Sequence, residues 1–325
     1  MRGVPNVKPK VTSLSRTKEK CTDHYQKIKT MPNSYKPSVE LVLASKNQYT
    51  GVSLYTFKIK MPKSYLAQLN THRILSKNAS SSRAVPVPKL IERIRANTVI
   101  PMIMVQNKPG MWGDHTLNAE QAEQVTALWL ESCEKAIETA SKLHSLGLHK
   151  EYANRILEPY CEAEILLSGT QWNNFISLRA HYETQPEMQY VATQIKNLIE
   201  TAQPQVLGKQ QWHTPFIREE EEMLDISLKQ KVSVARCARV SYFLKGTGEV
   251  SSLDKDIALY NTLKDSGHWS PFEHVATPYL ETKLCTNYLS WVQLRQSFRN
   301  SHGDSEYSTL PFNRLFEYLK DLMIE

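Results

Sequence analysis

The sequence has no long hydrophobic run, few cysteines and no apolar segment at its N-terminus. Its most apolar stretch, residues 99–105, contains Pro101 and is far shorter than a membrane-spanning helix, which needs about 20 residues. An N-terminus without an apolar core argues against a secretory signal peptide. The 5 cysteines are scattered and include no C-x-x-C pair, which argues against a disulfide framework and a zinc site. We therefore expect a cytoplasmic protein with reduced thiols, no membrane segment and no bound metal.

Several common catalytic motifs are also missing. The sequence contains no G-x-G-x-x-G, no P-loop, no H-E-x-x-H and no cysteine in a nucleophile motif. These absences argue against a Rossmann dinucleotide site, a P-loop nucleotide hydrolase and a zinc protease. The 325 residues, 41% of them hydrophobic, suffice for one large or two smaller soluble domains.

The chain is basic, with 40 Lys and Arg against 33 Asp and Glu and a net charge of +7. A positive balance favours anionic ligands such as nucleotides, folates, flavin phosphates or nucleic acid. The alternative is that the charge only reflects solvated lysines, because much of the excess lies in the first thirty-odd residues. We expect residues 1–36 to form a basic, flexible arm.

The hydrophobic pattern predicts an α+β fold. Two strand-like runs, 40–44 and 54–61, are joined by a turn at 49–51. The clearest helix spans 118–147, where Asn118 and Gln121 form a capping box and Leu128, Ala136 and Leu143 mark the apolar stripe. Further helices are predicted at 64–70, 89–96, 150–157, 170–180, 186–202, 232–242 and 253–265.

One polar segment, residues 71–83, stands out between a predicted helix and a Pro-punctuated exit; we call it the signature segment. It holds one imidazole, two guanidiniums, four serine hydroxyls and one carboxamide, and no acid. Guanidiniums and hydroxyls of this kind can surround an anion. The alternative is a solvated Ser/Asn loop.

The spacing H-R-x-x-S-x-N-x-x-S-x-R within this segment resembles the signature of the flavin-dependent thymidylate synthases. Three neighbouring positions depart from that family, where Thr71 replaces an arginine, Ala79 a glutamate and Ala84 an aromatic residue. The six matching positions are His72, Arg73, Ser76, Asn78, Ser81 and Arg83.

Four other segments are similar to the same family. They are residues 153–159 around Arg155, the helix 174–179, the residues 235–242 and the run 267–274. The last two precede the signature in most family members, whereas here they follow it, so the order is rearranged. The family also has an A-Q-x-E motif, which Gln185 and Glu187 resemble here. The histidine that precedes this motif in the family is replaced by Glu183.

The resemblance implies a fold and a set of site residues. It implies a mixed or antiparallel sheet with long packed helices, divided into the arm 1–36, a core 37–217 and a segment 218–325 that completes the same fold. It implies a catalytic role for Arg179 at the pyrimidine. The implied substrate residues are Gln68, Ser81, Arg83, Arg155 and Arg179, and the implied cofactor residues are His72, Arg73, Ser76, Asn78, Asn174, Ser241 and His274.

The resemblance also implies a reaction. The expected enzyme is a homotetramer that converts dUMP to dTMP with FAD, methylenetetrahydrofolate and NADPH, without a cysteine nucleophile. One alternative is hydroxymethylation of dUMP, or methylation of another pyrimidine nucleotide, by the same fold. The other is a basic nucleic-acid-binding protein without enzymatic activity. Because the sequence has neither a stacking-platform motif nor a helix-turn-helix pattern, we expect no nucleic-acid partner.

Overall fold

The computed structural model describes residues 35–110, 113, 115–242 and 251–301, and for residues 241, 242 and 299–301 the backbone alone. Nearly all of the predicted basic arm, residues 1–36, lies outside this part of the chain.

The described residues form an α+β fold, as predicted. Its α-helices are α1 (Leu66–Asn70), α2 (Val87–Ala96), α3 (Ala119–Ser145), α4 (Lys150–Ala153), α5 (Asn173–Arg179), α6 (Pro186–Thr201), α7 (Ile226–Tyr242) and α8 (Leu253–Asp265). Its strands are β1 (Ser38–Asn47), β2 (Ser53–Pro62), β3 (Ser76–Ala79), β4 (Glu162–Gly169), β5 (Gln205–Leu207), β6 (Ala276–Pro278), β7 (Leu284–Cys285), β8 (Tyr288–Leu289) and β9 (Trp291–Gln293). Short 3-10 helices lie at Lys63–Tyr65, Ser82–Ala84, Asn154–Tyr160, Glu219–Glu221, Ser270–His274 and Leu294–Ser301.

The central element is a five-stranded mixed sheet in the order β3-β4-β2-β1-β5. The β1–β2, β2–β4 and β4–β3 pairs are antiparallel, and β5 joins β1 in parallel. β6 pairs with β9 and β7 with β8 outside this sheet. The predicted hairpin is confirmed, because β1 and β2 pair in antiparallel register. Turn residues between two strand-like runs are the usual sequence pattern of a hairpin.

The two faces of the sheet pack against different parts of the chain. Phe57 and Ile59 of β2 share a core with Val191 and Ile195 of α6. Leu166 of β4 points to the opposite face and packs with side chains of α7. Successive strand residues alternate between faces, so the strands separate these two cores. The helix α7 and the 3-10 helix Ser270–His274 thereby cover the sheet face that carries the polar part of β3.

The long helix α3 buries a different stripe from the one that the sequence predicted. Cys133, Ile137 and Ala140 are buried, whereas Leu128 is 65% exposed. The prediction was therefore wrong at Leu128, although Leu143 does pack on the buried stripe. Successive residues of a helix are about 100° apart around its axis. Trp129 packs on the buried stripe, so the adjacent Leu128 points away from it.

The predicted helix 150–157 is shorter in the structure. α4 ends at Ala153, and the chain continues as a 3-10 helix through Pro159 to Tyr160. Pro159 has no N–H to donate to a carbonyl four residues back, which favours the tighter 3-10 turn. Asn154, at the transition, donates hydrogen bonds to the backbone oxygens of Ser82 and Val85, at 2.8 Å each.

The capping box of α3 is confirmed and gives a direct test of this local prediction. Asn118 Oδ1 accepts from the Gln121 backbone N–H at 2.8 Å, and the Asn118 N–H donates to Gln121 Oε1 at 3.2 Å. Replacing Asn118 with alanine should lower the free energy of unfolding by about 1 kcal/mol in urea titrations. The matched control is Ser252→Ala, because Ser252 caps α8 without any side-chain cap bond. Equal losses in the two variants would contradict the assignment.

Candidate functional site

The signature segment is more ordered than a loop. Its centre is strand β3, which pairs with β4 in the register Ser76 to Ser168 and Asn78 to Leu166. Ser76 and Asn78 are buried on the face that α7 covers, as strand alternation requires. The alternative of a solvated Ser/Asn loop is therefore wrong for these residues.

The structure brings His72 and Arg179 into direct contact. Arg179 Nε donates to His72 Nε2 at 2.9 Å, and its NH2 group donates to Thr71 Oγ1 at 3.2 Å. His72 is 5% exposed and its ring meets Phe175 edge-on, with centroids 5.0 Å apart. Burial and the positive charges of Arg179 and Lys77 lower the pKa of His72. A neutral imidazole that accepts at Nε2 therefore fixes the orientation of the guanidinium.

Lys77 is a residue of this region that the sequence did not single out. Its Nζ donates to the backbone oxygens of His72 at 2.7 Å and Leu75 at 2.8 Å. Burial lowers the pKa of Lys77, against the opposing charge of Glu273. Lys77 thus stabilises the turn that positions His72. The sequence did not predict this role, because Lys77 lies between two positions of the signature and is not one of them.

Asn78 and Ser76 tie the signature segment to the C-terminal elements. Asn78 Nδ2 donates to the Cys237 carbonyl at 2.8 Å, and Ser270 Oγ donates to Asn78 Oδ1 at 3.2 Å. Ser76 Oγ accepts from Gln293 Nε2 at 3.0 Å. The segments 235–242 and 267–274 therefore meet β3 in space, although they follow it in sequence.

A cleft of about 720 Å³ opens between the signature segment and the 3-10 helix Leu294–Ser301. Arg73 and Ser76, two predicted cofactor residues, line it together with Lys77. The rings of Trp269 and Phe298 also line it and stack on each other, with centroids 5.5 Å apart and planes at 10°. Its size falls within the range of ligand pockets, roughly 300–1,000 Å³. Cations beside aromatic rings suit an anionic ligand that carries an aromatic ring system.

The predicted phosphate residues lie at the other end of the signature segment. Ser81 lines a second pocket of about 320 Å³. Arg83 donates to Glu151 at 3.3 Å, and Arg155 donates to Glu158 at 2.9 Å, and both arginine side chains are more than half exposed. The structure therefore places these two guanidiniums on carboxylates.

Glu158 is the centre of that second group. One of its oxygens, Oε1, accepts from Ser82 Oγ, from Arg155 and from Lys63 Nζ, the last at 3.2 Å. Burial works to raise the pKa of Glu158, but the bonds from Ser82, Lys63 and Arg155 hold it below its usual range. Hydroxyl, ammonium and guanidinium groups that converge on one oxygen form a binding site for an anion. In this chain the carboxylate of Glu158 occupies that site.

Three other predicted residues lie apart from both pockets. Gln68 donates to the side chain of Gln185 at an exposed position. Asn174 is exposed on α5, and Leu178 of the same helix is 54% exposed. Ser241 lies in the last turn of α7, and its side chain is outside the described residues.

His274 is fully buried at the end of a continuous polar chain. Its Nδ1 bonds Ser168 Oγ at 2.7 Å, which bonds Thr56 Oγ1 at 2.6 Å. Thr56 Oγ1 in turn bonds His213 Nε2 at 2.8 Å, and His213 Nδ1 bonds Ser45 Oγ at 2.8 Å. No sequence pattern marks His213, because its partners are far away along the chain. His274 Nε2 is buried without a hydrogen-bond partner, an uncommon state for a polar atom.

The arginines of α7 serve a separate ion-pair network. Arg236 bonds Glu221 at 2.5 Å and Asp256 at 3.0 Å, and Arg239 bonds Asp256 at 2.9 Å. Asp256 is fully buried, so removing either arginine would leave a carboxylate poorly compensated. These contacts join α7 to α8 and to the 3-10 helix at Glu219.

Among the described residues, no helix has both the length and the apolar character that crossing a lipid bilayer requires. Within the same residues, no three His, Cys, Asp or Glu side chains are grouped as they would be around a metal ion.

Part of this chain is similar to known proteins. The family model described as thymidylate synthase complementing protein matches residues 46–205. A flavin-dependent thymidylate synthase from Kosmotoga olearia is 28% identical over 158 residues, which cover 46% of this chain and 64% of that relative. The chain thus spans less than two thirds of the relative's length. The matched segment contains the signature segment, Arg155, Asn174 and Arg179, and ends before α7.

Two solved structures show a weaker likeness. Both are of the UMP/dUMP methylase PolB from Streptomyces cacaoi, one with 5-Br UMP and one with 5-Br dUMP. The first has a TM-score of 0.43 at 18% identity and covers 51% of this chain and 89% of PolB. The second has a TM-score of 0.42 at 17% identity and covers 51% and 90%.

The buried histidines predict a pH dependence of stability. Burial lowers the pKa of both His213 and His274 to about 3, from about 6.5 in an unfolded chain. Between these values the unfolded chain binds more protons, so stability is fully present above pH 6.5 and is lost as the pH falls. Urea titrations from pH 7 to pH 5 should show a total loss of about 2 kcal/mol for each imidazole, with a slope that approaches about 1.4 kcal/mol per pH unit below pH 6. His213→Asn should reduce this slope, whereas substituting the exposed His144 with glutamine should leave it unchanged. A slope that does not respond to His213→Asn would contradict the assignment.

Proposed function

We propose that this chain is a flavin-dependent thymidylate synthase, and the match of residues 46–205 to the family model described as thymidylate synthase complementing protein supports this proposal. In this proposal it methylates dUMP reductively to dTMP with FAD, methylenetetrahydrofolate and NADPH. The observation that carries the proposal is the Arg179–His72 contact, because it joins two separate motifs of the family across 107 residues.

The cleft beside β3 fits a flavin. Arg73 and Lys77 supply positive charge for its phosphates, and Trp269 and Phe298 supply flat apolar surfaces. His274 Nε2 is a buried polar atom without a hydrogen-bond partner, and the preceding residue, Glu273, lines the cleft. When bound, the flavin supplies the reducing equivalents of the reaction, and the protein supplies orientation and electrostatics.

Arg179 is the proposed catalytic residue. Its guanidinium stabilises negative charge on the carbonyl oxygens of the pyrimidine as the ring carbon becomes nucleophilic. His72 and Thr71 hold it from one side, so little reorientation is needed during the reaction. Because His72 is neutral, its Nε2 accepts the hydrogen bond from Arg179 and does not repel the guanidinium.

The nucleotide's phosphate and sugar belong, in this proposal, with Gln68, Ser81, Arg83 and Arg155. Arg83 and Arg155 are held by exposed ion pairs, which typically contribute only about 0–1 kcal/mol. A phosphate that forms charge-assisted hydrogen bonds, worth about 1.5–3 kcal/mol each, can displace those carboxylates.

The state of the described cysteines supports a route without a thiol nucleophile. Cys133, Cys161, Cys237 and Cys285 are all buried. Burial raises the pKa of Cys161 and Cys285 to about 12 and also raises the pKa of Cys133 and Cys237. The reactive thiolate is therefore scarce at neutral pH at these four positions.

Thr71 favours a second candidate reaction. The family has an arginine at this position, whereas here a neutral hydroxyl accepts from Arg179 at 3.2 Å. One positive charge fewer beside the pyrimidine changes which nucleotide, or which one-carbon transfer, the site supports. Hydroxymethylation of dUMP, or methylation of another pyrimidine nucleotide, is therefore the alternative, and mass analysis of the product decides between the two.

We expect the enzyme to be a homotetramer. Several large apolar side chains around α3 and α4 are strongly exposed on the single chain, including Leu128, Leu146 and Tyr152. An association surface that covered these side chains would remove their apolar area from water.

The first functional test is the absorbance of the purified protein after addition of FAD. Bound flavin should give visible absorbance bands that remain with the protein on gel filtration. Arg73→Ala should remove them, because Arg73 lines the cleft. Arg95→Ala is the matched control, since Arg95 is an exposed arginine paired with Glu134 on α3 and should leave the bands in place. A wild-type protein that stays colourless with FAD would refute the proposal.

The second test separates catalysis from cofactor binding. Arg179→Ala should keep the flavin bands but lower the rate of dTMP formation by about 10²–10³, the usual effect of losing one group that stabilises developing charge. Arg179→Lys retains the positive charge but lacks the planar guanidinium. Its rate of dTMP formation should therefore lie between those of the wild type and of Arg179→Ala. Normal turnover in Arg179→Ala would show that the pyrimidine lies elsewhere.

A further inference from the structure

We propose that Lys77 is a positioning residue that couples the cleft to Arg179, so that an anion bound in the cleft helps to hold the guanidinium at the pyrimidine. The ligand chemistry is a phosphate or diphosphate group, which matches the cations that line the cleft. The identity of the pyrimidine and of the cofactor rests on the proposed function, whereas the connection between Lys77 and Arg179 does not.

The first step is a clamp on one backbone turn. The Leu75 N–H donates to the His72 carbonyl at 3.2 Å, which closes a four-residue turn over 72–75. Lys77 Nζ donates to the carbonyls of the first and last residues of this turn, His72 at 2.7 Å and Leu75 at 2.8 Å. One ammonium therefore holds both ends of the turn, and its removal leaves the turn to the longer bond between Leu75 and His72.

The second step runs from the turn to Arg179. The His72 imidazole accepts from Arg179 Nε at 2.9 Å, and Thr71, the residue before the turn, accepts from the NH2 group at 3.2 Å. Thr71 Oγ1 donates its own hydrogen to the Gln68 carbonyl at 2.7 Å, which fixes the orientation of this second acceptor. The position of the guanidinium thus depends on the turn that carries His72.

The third step connects the turn to the cleft. Arg73, the second residue of the turn, and Lys77 both line the cleft. The clamp uses two of the three hydrogens of the ammonium, which leaves one for a group in the cleft. Glu273, the acid whose charge acts on Lys77, also lines the cleft, but its carboxylate bonds Arg295. A phosphate in the cleft can take the third hydrogen of Lys77.

An anion in the cleft favours the clamped turn. The clamped turn presents Arg73 and Lys77 to the same cleft, so an anion that contacts both binds this form better than an open turn. Holding a flexible lysine side chain in one conformation costs entropy, and a bound anion lowers that cost for the clamp. The coupling is reciprocal, so a ligand that orders Arg179 also strengthens anion binding in the cleft.

Lys77 also acts on His72 through its charge. Burial, the charge of Arg179 on α5 and the charge of Lys77 on β3 lower the pKa of His72, and the other ring contact, Phe175, is neutral. A protonated imidazole has no acceptor at Nε2, so its contact with Arg179 is lost as the pH falls through the pKa of His72 in the folded protein. Without the charge of Lys77 this pKa is higher, and the contact is lost at a higher pH.

The first test needs no ligand. In Lys77→Met, NMR of histidine-labelled protein should show a raised pKa for His72, and the Arg179 Nε–H should begin to exchange with solvent at a higher pH. Lys77→Arg keeps the charge and should restore the wild-type pH dependence. The matched control is Lys58→Met, because Lys58 is a part-buried lysine of the same sheet that pairs with Glu164 at 3.3 Å. It should leave His72 unchanged.

Two results of this test would refute the connection to Arg179. One is a wild-type pH dependence in Lys77→Met, and the other is an equal change in the Lys58→Met control. Lys77→Gln also removes the charge, and it gives the same measurement if Lys77→Met does not fold.

The second test fills the cleft with ADP, which carries a diphosphate but no flavin ring and so cannot act by stacking on a pyrimidine. In wild-type protein ADP should slow the solvent exchange of the Arg179 Nε–H about fivefold or more, the lower end of usual coupling factors. In Lys77→Met the slowing should disappear at ADP concentrations that saturate the cleft. ADP that does not bind, or that slows exchange equally in both proteins, would overturn the coupling.

Catalysis separates a failure of this coupling from a failure of the proposed function. With saturating FAD and dUMP, Lys77→Met should lower kcat by up to about 100-fold, the usual effect of a small misplacement of a catalytic group, and should move the acid limb of the pH profile to higher pH. If wild-type protein forms no dTMP, the proposed function fails, whereas the exchange of the Arg179 Nε–H with ADP still decides the coupling. If wild-type protein is active and Lys77→Met keeps its rate and pH profile, the proposed function stands and the coupling fails.

Discussion

The pairing of β3 with β4 is the constraint on which the site depends. Four residues of a polar segment are held as a strand, and strand geometry then assigns each side chain a face. Asn78 and Ser76 point to the face that the C-terminal elements cover, and their hydrogen bonds hold those elements in place. The cleft exists because β3 fixes both the signature segment and the wall opposite it.

Electrostatics at the site follow from which charges are neutralised and which are not. Burial and the charges of Arg179 and Lys77 lower the pKa of His72, and Arg179 donates to two neutral acceptors, His72 and Thr71. Arg83 and Arg155, in contrast, are engaged by Glu151 and Glu158. The chain therefore holds one guanidinium against neutral acceptors and two others in ion pairs. In the proposed function, the first stabilises developing charge and the other two bind a phosphate.

Local features could be predicted from the sequence, and long-range ones could not. The capping box at Asn118 depends on residues three positions apart, so the sequence contained everything required. The buried stripe of α3 failed at Leu128 because neighbouring residues differ by about 100° and the partner surface decides the phase. The polar chain from Ser45 to His274 joins residues up to 168 positions apart, and no periodicity marks such a set. The motif positions were found by resemblance, but their partners Lys77, Gln293 and Glu158 came from the fold.

The long sequence separation between β3 and its partners has a consequence for biosynthesis. Asn78 and Cys237 are 159 residues apart, which at about 5–20 residues per second corresponds to roughly 8–30 s of translation. During that interval the polar face of the nascent sheet has no covering layer, and its carboxamide and hydroxyl groups remain hydrated. The ribosome thus completes the signature segment well before the rest of the chain can turn it into a binding site.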